Sequence, residues 1–132
     1  MQVFNLYITR VICDIIQIMT AYYLMKSEGD CYPITQLEKD KTTPWSGVRN
    51  YQARNFMIGM NVGDKILFYH SSAKPIGVYG LAEVIEKAKP DLTAQDKKGD
   101  HYDPKATKEK PIWSCVTVKH IATWKQPVSV ED

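Results

Sequence analysis

The sequence predicts a small mixed α+β domain in which β-strands dominate and short helices lie between them. The chain has 132 residues, of which 44% are hydrophobic, and this is enough apolar material for one core and one domain. Several segments rich in β-branched and aromatic residues lie between turn residues, and the helix-like segments between them are short. Because closure removes exposed sheet edges, we expect a closed or half-closed β-barrel.

The first half of the domain begins with a predicted strand at Tyr22–Lys26, followed by turn residues at Ser27–Asp30. A short helix is predicted at Ile34–Lys39. Thr35 and Glu38 lie three residues apart, which is the spacing of a capping box, so Thr35 is the expected N-cap.

A second short helix is predicted at Tyr51–Met57, where most residues have good helix propensity. Asn50 precedes this segment and is a suitable N-cap residue. Pro44 and Gly47, further upstream, indicate turns. We therefore expect the chain to turn twice before the helix begins at Tyr51.

The second half of the domain is predicted to consist mainly of strands. Three segments have the composition of strands: Lys65–Ser71, Gly77–Lys87 and Trp113–Trp124. Asn61–Asp64 is a turn before the first of them, and Gly77 and Gly80 indicate a bulge or a close approach of two backbones. Ala88–Pro111 is polar throughout, so we expect a long loop that is either functional or mobile.

Residues 1–20 differ in character from the rest of the chain. Arg10 and Asp14 interrupt the apolar residues, so the segment is typical of neither a secretory signal nor a membrane-spanning helix. Val3–Ile8 has the composition of a strand, and one helical face is shared by Val11, Ile12, Ile15, Ile16 and Met19. The segment is either an element added to the domain or an upstream extension with the true start at Met19. We favour the extension and place the domain at residues 21–132.

Charge and cysteine content exclude several classes of function. Seventeen basic and fifteen acidic residues give a net charge of +2, too little to hold nucleic acid by bulk charge, so any such function needs a local site. Cys13, Cys31 and Cys115 are widely spaced without a C-x-x-C motif, which argues against a disulfide framework and a zinc site. We expect reduced thiols, no metal, no cofactor, and a cytoplasmic protein (nuclear if from a eukaryote).

The stretch Lys26–Ser71 contains the side chains needed to hold a flat, polar ligand. Aromatic faces are available from Trp45, Tyr51, Phe56, Phe68 and Tyr69. Directional hydrogen bonds are available from Ser27, Arg49, Asn50, Gln52, Arg54, Asn55, His70 and Ser71. A nucleobase requires both, because its faces stack on aromatic rings and its edges need paired donors and acceptors.

The same stretch resembles the EVE domain, a family of the PUA-like superfamily that includes the thymocyte nuclear protein group. The resemblance is carried by PWSGVRNYQARNFM together with YYLMKSEGD, VGDKILFYHS, GLAEV and YDP, and it covers Tyr22–Asp132. It implies a PUA-like mixed β-barrel with short peripheral helices. The family pattern continues past PVSVED with a helix and a last strand, so we expect the barrel here to lack its last elements and Val3–Ile8 to cover the open edge.

The resemblance also implies a function, the recognition of a modified cytosine or adenine in DNA or RNA, in a pocket between the barrel and the Trp45–Asn55 segment. The expected partner is nucleic acid carrying such a base, or a free modified nucleoside. By position, and with the aromatic residues above, the expected ligand-binding residues are Lys26, Ser27, Glu28, Trp45, Val48, Arg49, Asn50, Tyr51, Gln52, Arg54, Asn55, Phe68, Tyr69, His70 and Ser71.

Roles follow from side-chain chemistry. Trp45 and Tyr69 are expected to supply walls, and the arginines with the lysines of the long loop are expected to hold phosphate or ribose. The polar edge of the base is expected to be read by Asn50, Gln52, Asn55 and Ser71.

Simpler interpretations stay open for several of these residues. Trp45 and His70 are equally suited to the core, and Arg49 and Arg54 to purely structural hydrogen bonds. An alternative function is a small hydrolase of acylated or otherwise modified nucleosides, similar to ASCH domains, in which Lys26, Ser27 and Glu28 would carry the chemistry. The non-enzymatic binding module is favoured.

Overall fold

The computed structural model describes residues 20–27 and 32–130, and the backbone of residues 2–6. The strands are β1 (Gln2–Leu6), β2 (Tyr22–Ser27), β3 (Thr42–Pro44), β4 (Lys65–His70), β5 (Gly77–Pro90) and β6 (Ser114–Ser129). The helices are α1 (Ile34–Asp40) and α2 (Tyr51–Ile58), with a short 3-10 helix at Leu92–Gln95. The predicted mixed α+β class is confirmed. No described helix is long and apolar enough to cross a membrane.

All six strands belong to one sheet in the order β1-β2-β4-β5-β6-β3. The β2–β4 pair is parallel, and the other neighbouring strands are antiparallel. The connection between β2 and β4 contains both helices and β3. The order has two ends, β1 and β3, so the described strands do not close the expected barrel.

Several sequence predictions fall on residues that the structure does not describe. These are the apolar helical face from Val11 to Met19, the last two residues of the Val3–Ile8 strand, the turn residues Glu28–Asp30, and the cysteines Cys13 and Cys31. Within the described part, β1 pairs with β2 from Gln2↔Lys26 to Leu6↔Tyr22.

The two helices begin for different reasons. Asn50 is the N-cap of α2, as predicted, and its side-chain oxygen accepts a hydrogen bond from the Ala53 amide at 2.9 Å. The helix α1 lies where it was predicted, but the prediction that Thr35 is its N-cap was wrong. Its N-cap is Pro33, which makes no side-chain cap, and Thr35 is already the second helical residue. The free Ile34 amide instead donates to Nε2 of His70 at 3.3 Å, so a distant side chain replaces the local cap.

The long strands β5 and β6 depart from the prediction at their ends and in their regularity. β5 extends to Pro90 and β6 to Ser129, and their pairing shifts register four times. One shift lies between Val78 and Gly80, as expected for a glycine bulge. A Cβ atom at Gly80 would collide with the Ala122 carbonyl and the Ile34 side chain, so only glycine fits there.

The loop Ala88–Pro111 is better ordered by local contacts than its polar composition indicated. Ala94, Ala106 and Trp113 form a small second core, and the Trp113 indole donates to Asp103 at 2.7 Å. The strand β3 was not predicted, because Pro44 suggested only a turn. Pro44 is accommodated because β3 is an edge strand.

Candidate functional site

A cavity of about 420 Å³ opens beside the ends of β2 and β4. Because these strands are parallel, with Ser27 opposite His70, both end at the same edge of the sheet. The start of α1, the loop after β4 and the beginning of β5 complete the walls. The lining residues are Pro33, Ile34, Thr35, His70, Ser72, Ala73 and Tyr79.

His70 is the buried polar group of this cavity, with only 3% of its surface exposed. Nε2 accepts from the Ile34 amide, so it carries no proton, and Nδ1 lies 3.3 Å from the Ser27 carbonyl oxygen. These contacts fit the neutral ring with the proton on Nδ1. Burial lowers the pKa of His70, which favours the same uncharged form, against a smaller opposing effect of the Ser27 carbonyl.

A row of aromatic rings extends from the cavity into the core. Tyr79 lies 4.8 Å from His70, His70 lies 5.2 Å from Phe68, and Phe68 lies 5.2 Å from Trp45, measured between ring centroids. Trp45 and Phe68 are completely buried. Neither ring therefore presents a face to solvent in this structure, and the simpler interpretation of Trp45 as a core residue describes its position.

The Trp45 side chain is nevertheless incomplete in its hydrogen bonding. No described residue accepts a hydrogen bond from its Nε1, although the atom is buried. A buried donor without a partner costs about 1–3 kcal/mol. Trp45 therefore contributes apolar burial to the core while keeping one donor available.

The end of β2 adds polar groups near the cavity. Ser27 is buried and its hydroxyl donates to the Tyr32 carbonyl at 2.6 Å, next to the cavity residue Pro33. Lys26, Tyr69 and Ser71 are half-buried, whereas Glu28 lies outside the described residues. The predicted residues of β2 and β4 are thus brought together at one sheet edge.

The predicted arginine of the V-R-N segment belongs to a different group. Arg49 forms an ion pair of 2.9 Å with Asp91, which is 1% exposed. The same guanidinium donates to the carbonyls of Val48 and His101 and to the Thr93 hydroxyl. Arg49 therefore makes five hydrogen bonds with described residues, one for each of its N–H groups, whereas Arg54 makes only three.

Asp91 is the centre of this group, which we call the Asp91 clamp: Gly47, Arg49, Asp91, Thr93 and His101. The carboxylate accepts from the Gly47 amide, from Arg49, and from the amide and hydroxyl of Thr93. Burial alone would raise the pKa of Asp91, but these hydrogen bonds outweigh burial and hold it below its ordinary value. Gly47 has a φ of 81°, and a Cβ atom there would press on the His101 ring.

A third group lies on the surface at the start of α2, and we call it the Tyr51 platform: Tyr51, Arg54 and Trp113. The Tyr51 and Trp113 rings are stacked with centroids 4.8 Å apart. The Arg54 guanidinium carbon lies 4.9 Å from the centroid of the Tyr51 ring. The guanidinium nitrogens donate to the Ile112 carbonyl and to the side-chain oxygen of Asn55. Gln52 and Asn55 are exposed beside it, whereas Val48 is fully buried in the core.

A second cavity, of about 340 Å³, lies next to the Asp91 clamp and includes Asp91, Thr93 and Cys115 in its lining. Burial raises the pKa of Cys115, so the thiol stays protonated and weakly nucleophilic. The carboxylate beside it is fully engaged in the clamp. Among the described residues, no group of three or more His, Cys, Asp and Glu is arranged to hold a metal ion.

The structure therefore divides the predicted residues that it describes among the ends of β2 and β4, the clamp, the surface around the platform, and the core. Sequence reasoning missed Tyr79, Asp91 and Trp113, each of which organises one of these groups. Tyr79 lay inside a segment interpreted only as a strand. Asp91 had a readable signal, because Asp-Leu-Thr can form a side-chain cap, and Asp91 does cap the 3-10 helix through the Thr93 amide.

A sequence model described as the EVE domain matches residues 21–132. Human thymocyte nuclear protein 1 is 38% identical over 123 residues, which are 82% of this chain and 53% of that protein. The chain thus spans about half the length of this curated relative, and the same holds for the mouse protein, which is 37% identical.

Solved structures agree with this comparison. A hypothetical protein from Leishmania major has a TM-score of 0.82 and 53% identity, covering 85% of this chain and 71% of its own. The DUF55 domain of human thymocyte nuclear protein 1 has a TM-score of 0.80 and 37% identity, covering 84% and 72%. The human THYN1 protein in complex with DNA containing 5-methylcytosine has the same TM-score and identity, covering 83% and 71%.

Proposed function

Since this chain belongs to the EVE domain family, we propose that it binds nucleic acid carrying a modified nucleobase and that it does so without catalysis. One observation carries the proposal: a solved relative, 37% identical with a TM-score of 0.80, is bound to DNA that contains 5-methylcytosine. A modified cytosine in DNA is therefore the first ligand to test. Modified adenine and RNA are the next.

The cavity beside His70 has the size and the chemistry for one base. Its volume of about 420 Å³ lies within the usual range for small-molecule pockets. Apolar surface from Ile34, Ala73 and Tyr79 can contact the flat faces of a heterocycle. His70, held neutral, keeps a charge out of the pocket, which suits an uncharged base. A base from a duplex would have to be flipped out to enter.

The predicted contacts of Ser27 and Ser71 are retained in this proposal, since Ser27 lies opposite His70 and Ser71 follows it. Lys26 and Tyr69 alternate onto the other face of their strands, and Glu28 lies outside the described residues. Trp45 and Phe68 support it from behind through the row of rings. Arg49 is assigned to the Asp91 clamp rather than to the ligand, because its donors are already used.

The test is a binding titration with oligonucleotides that are identical except for one 5-methylcytosine. We expect tighter binding of the modified strand, and equal affinity for the two strands would overturn the proposal. Parallel titrations with N6-methyladenine and with RNA identify the preferred base and backbone. Incubation with an acylated cytidine is expected to yield no product.

The cavity itself is tested by a pair of variants on α1. Thr35 lines the cavity, whereas its neighbour Gln36 is exposed and does not line it. Thr35→Phe is expected to fill part of the cavity and to remove the preference for the modified strand, while Gln36→Phe keeps it. If both variants keep the preference, the base binds elsewhere.

A further inference from the structure

The outward face of Tyr51 is the most exposed aromatic surface of the predicted site. The side chain is 55% exposed although its ring stacks on the buried Trp113. An aromatic ring that is fixed from below and open above loses little side-chain entropy on binding. Such a surface favours a flat partner.

Arg54 does not cover this face. Its guanidinium carbon lies 4.9 Å from the Tyr51 ring and 5.9 Å from the Trp113 ring, and the rings are 4.8 Å apart. A guanidinium on the far side of Tyr51 would be separated from Trp113 by nearly the sum of the two shorter distances. The three groups instead form a roughly equilateral triangle, so Arg54 flanks the ring pair and the opposite face of Tyr51 stays open.

The platform is held rigidly from underneath. The Trp113 indole donates to Asp103, and Arg54 donates to the Ile112 carbonyl next to Trp113. The hydrogen bond from Trp113 lowers the pKa of Asp103. Tyr51 itself is the first residue of α2, placed by the Asn50 cap. The ring therefore has a fixed position before any ligand arrives.

The charge around the platform favours a negatively charged partner. Among the described residues, no carboxylate lies within ion-pair distance of Arg54, unlike Arg49, which Asp91 neutralises. The exposed Lys105, Lys108 and Lys110 lie shortly before Trp113 in the chain and outnumber the two carboxylates of the same segment, Asp103 and Glu109. An unpaired nucleobase with its phosphates is such a partner, because it is flat and lies on a negatively charged strand. Proteins commonly bind single strands by stacking bases on aromatic rings beside an arginine.

We propose that the Tyr51 platform binds a second, unpaired nucleobase of the same strand whose modified base enters the cavity, with Arg54 beside the adjoining phosphate. This rests on the proposed function for the identity of the strand. Stacking is tolerant of sequence, so the platform would add affinity for single-stranded nucleic acid without adding preference for the modification.

The experiment is a coupling measurement between Tyr51 and each position of a short single-stranded oligonucleotide containing one 5-methylcytosine. Affinities are measured for the wild type and for Tyr51→Ala, with the intact strand and with strands carrying one abasic site at successive positions. We expect Tyr51→Ala to lower the affinity for the intact strand by roughly 5- to 150-fold. At one position the abasic site is expected to cause a similar loss in the wild type and little further loss in the variant.

Two control variants separate stacking from general effects. Tyr51→Phe keeps the ring and is expected to bind as the wild type does. Ile58→Ala removes another exposed apolar side chain of the same helix and is expected to have no effect. Thermal unfolding of each variant checks that the fold is retained, and Tyr51→Leu replaces Tyr51→Ala if the latter does not fold.

The outcomes distinguish the two proposals. The platform proposal is overturned if Tyr51→Ala causes no loss of affinity. It is also overturned if, at every abasic position, the losses from the variant and from the abasic site are independent, so that their fold-changes simply multiply. Equal affinity for modified and plain strands overturns modified-base recognition but leaves the coupling measurable on the plain strand. No measurable binding of either strand by the wild type overturns both.

Discussion

The cavity and the Asp91 clamp each contain a buried ionisable side chain, but the two regions stabilise opposite charge states. His70 is held neutral by burial and by the Ile34 amide, which donates to Nε2, against a smaller opposing effect of the Ser27 carbonyl. Asp91 is held ionised by Arg49 and by three further donors. Both residues are almost fully buried, so the difference comes from the partners and not from the degree of burial.

This difference indicates which region can accept a ligand. A carboxylate with all its partners inside the protein gains nothing from a further molecule, so the clamp is structural. A neutral, apolar-walled cavity loses little when water is replaced by an uncharged ring. This contrast supports the proposal that the base binds in the cavity, and it indicates that the charge of Arg49 serves the fold.

The largest expected effect comes from the core behind the cavity. Trp45→Ala removes a fully buried indole and should lower the free energy of unfolding by about 3–5 kcal/mol. Trp124 is only partly buried, so Trp124→Ala should cost less. Chemical denaturation measures both. Similar costs for the two variants would contradict the assignment of Trp45 to the core.

The clamp is tested by Asp91→Ala, which leaves Arg49 and two backbone amides without their acceptor. We expect a loss of about 3 kcal/mol in unfolding free energy, since one partner of a buried ion pair is removed. Asp100→Ala, at an exposed position in the same loop region, should be nearly neutral. A purely ligand-binding role for Arg49 predicts instead weaker binding with unchanged stability.

The neutral state of His70 predicts a smaller effect that depends on pH. Its pKa in the folded chain lies below the ordinary value of 6.5, so the unfolded chain takes up the proton at higher pH. The contribution of neutral His70 to the free energy of unfolding is therefore complete above pH 6.5, and it is lost as the pH falls toward the folded-state pKa. Denaturation between neutral pH and pH 5 should show this loss, and His70→Gln should reduce it. An unchanged slope in the variant argues against a buried neutral ring.

The smallest effect on stability is expected at the platform. Arg54→Gln should lower the free energy of unfolding by about 1 kcal/mol, because it removes hydrogen bonds to Ile112 and Asn55 but breaks no ion pair with a described carboxylate. The slope of the logarithm of the binding constant against the logarithm of salt concentration should decrease by about 1, which corresponds to one phosphate contact. Titrations at several salt concentrations measure this slope, and a slope equal to that of the wild type would remove Arg54 from the interface.

Local sequence signals predicted much of the fold correctly. The Asn50 cap, the bulge at Gly80 and the strands at β4 and β5 follow from turn chemistry and side-chain propensity over a few residues. The failures have a common cause. At α1, the expected Thr35 cap was displaced because the His70 ring, 36 residues away, meets the helix start. At β3, pairing with β6 made a strand of a segment whose proline suggested a turn.

The sequence by itself determined the strand-dominated α+β class, the family, and the supply of aromatic and amide side chains suited to a heterocycle, because these depend on residue type and short-range order. Only the tertiary structure decided the use of each side chain. It buried Trp45, bound Arg49 to Asp91 across 42 positions, and placed Trp113 under Tyr51. The physical reason is that hydrogen-bond and stacking partners are chosen by proximity in space, and the sheet sets that proximity through pairings between segments far apart in the chain.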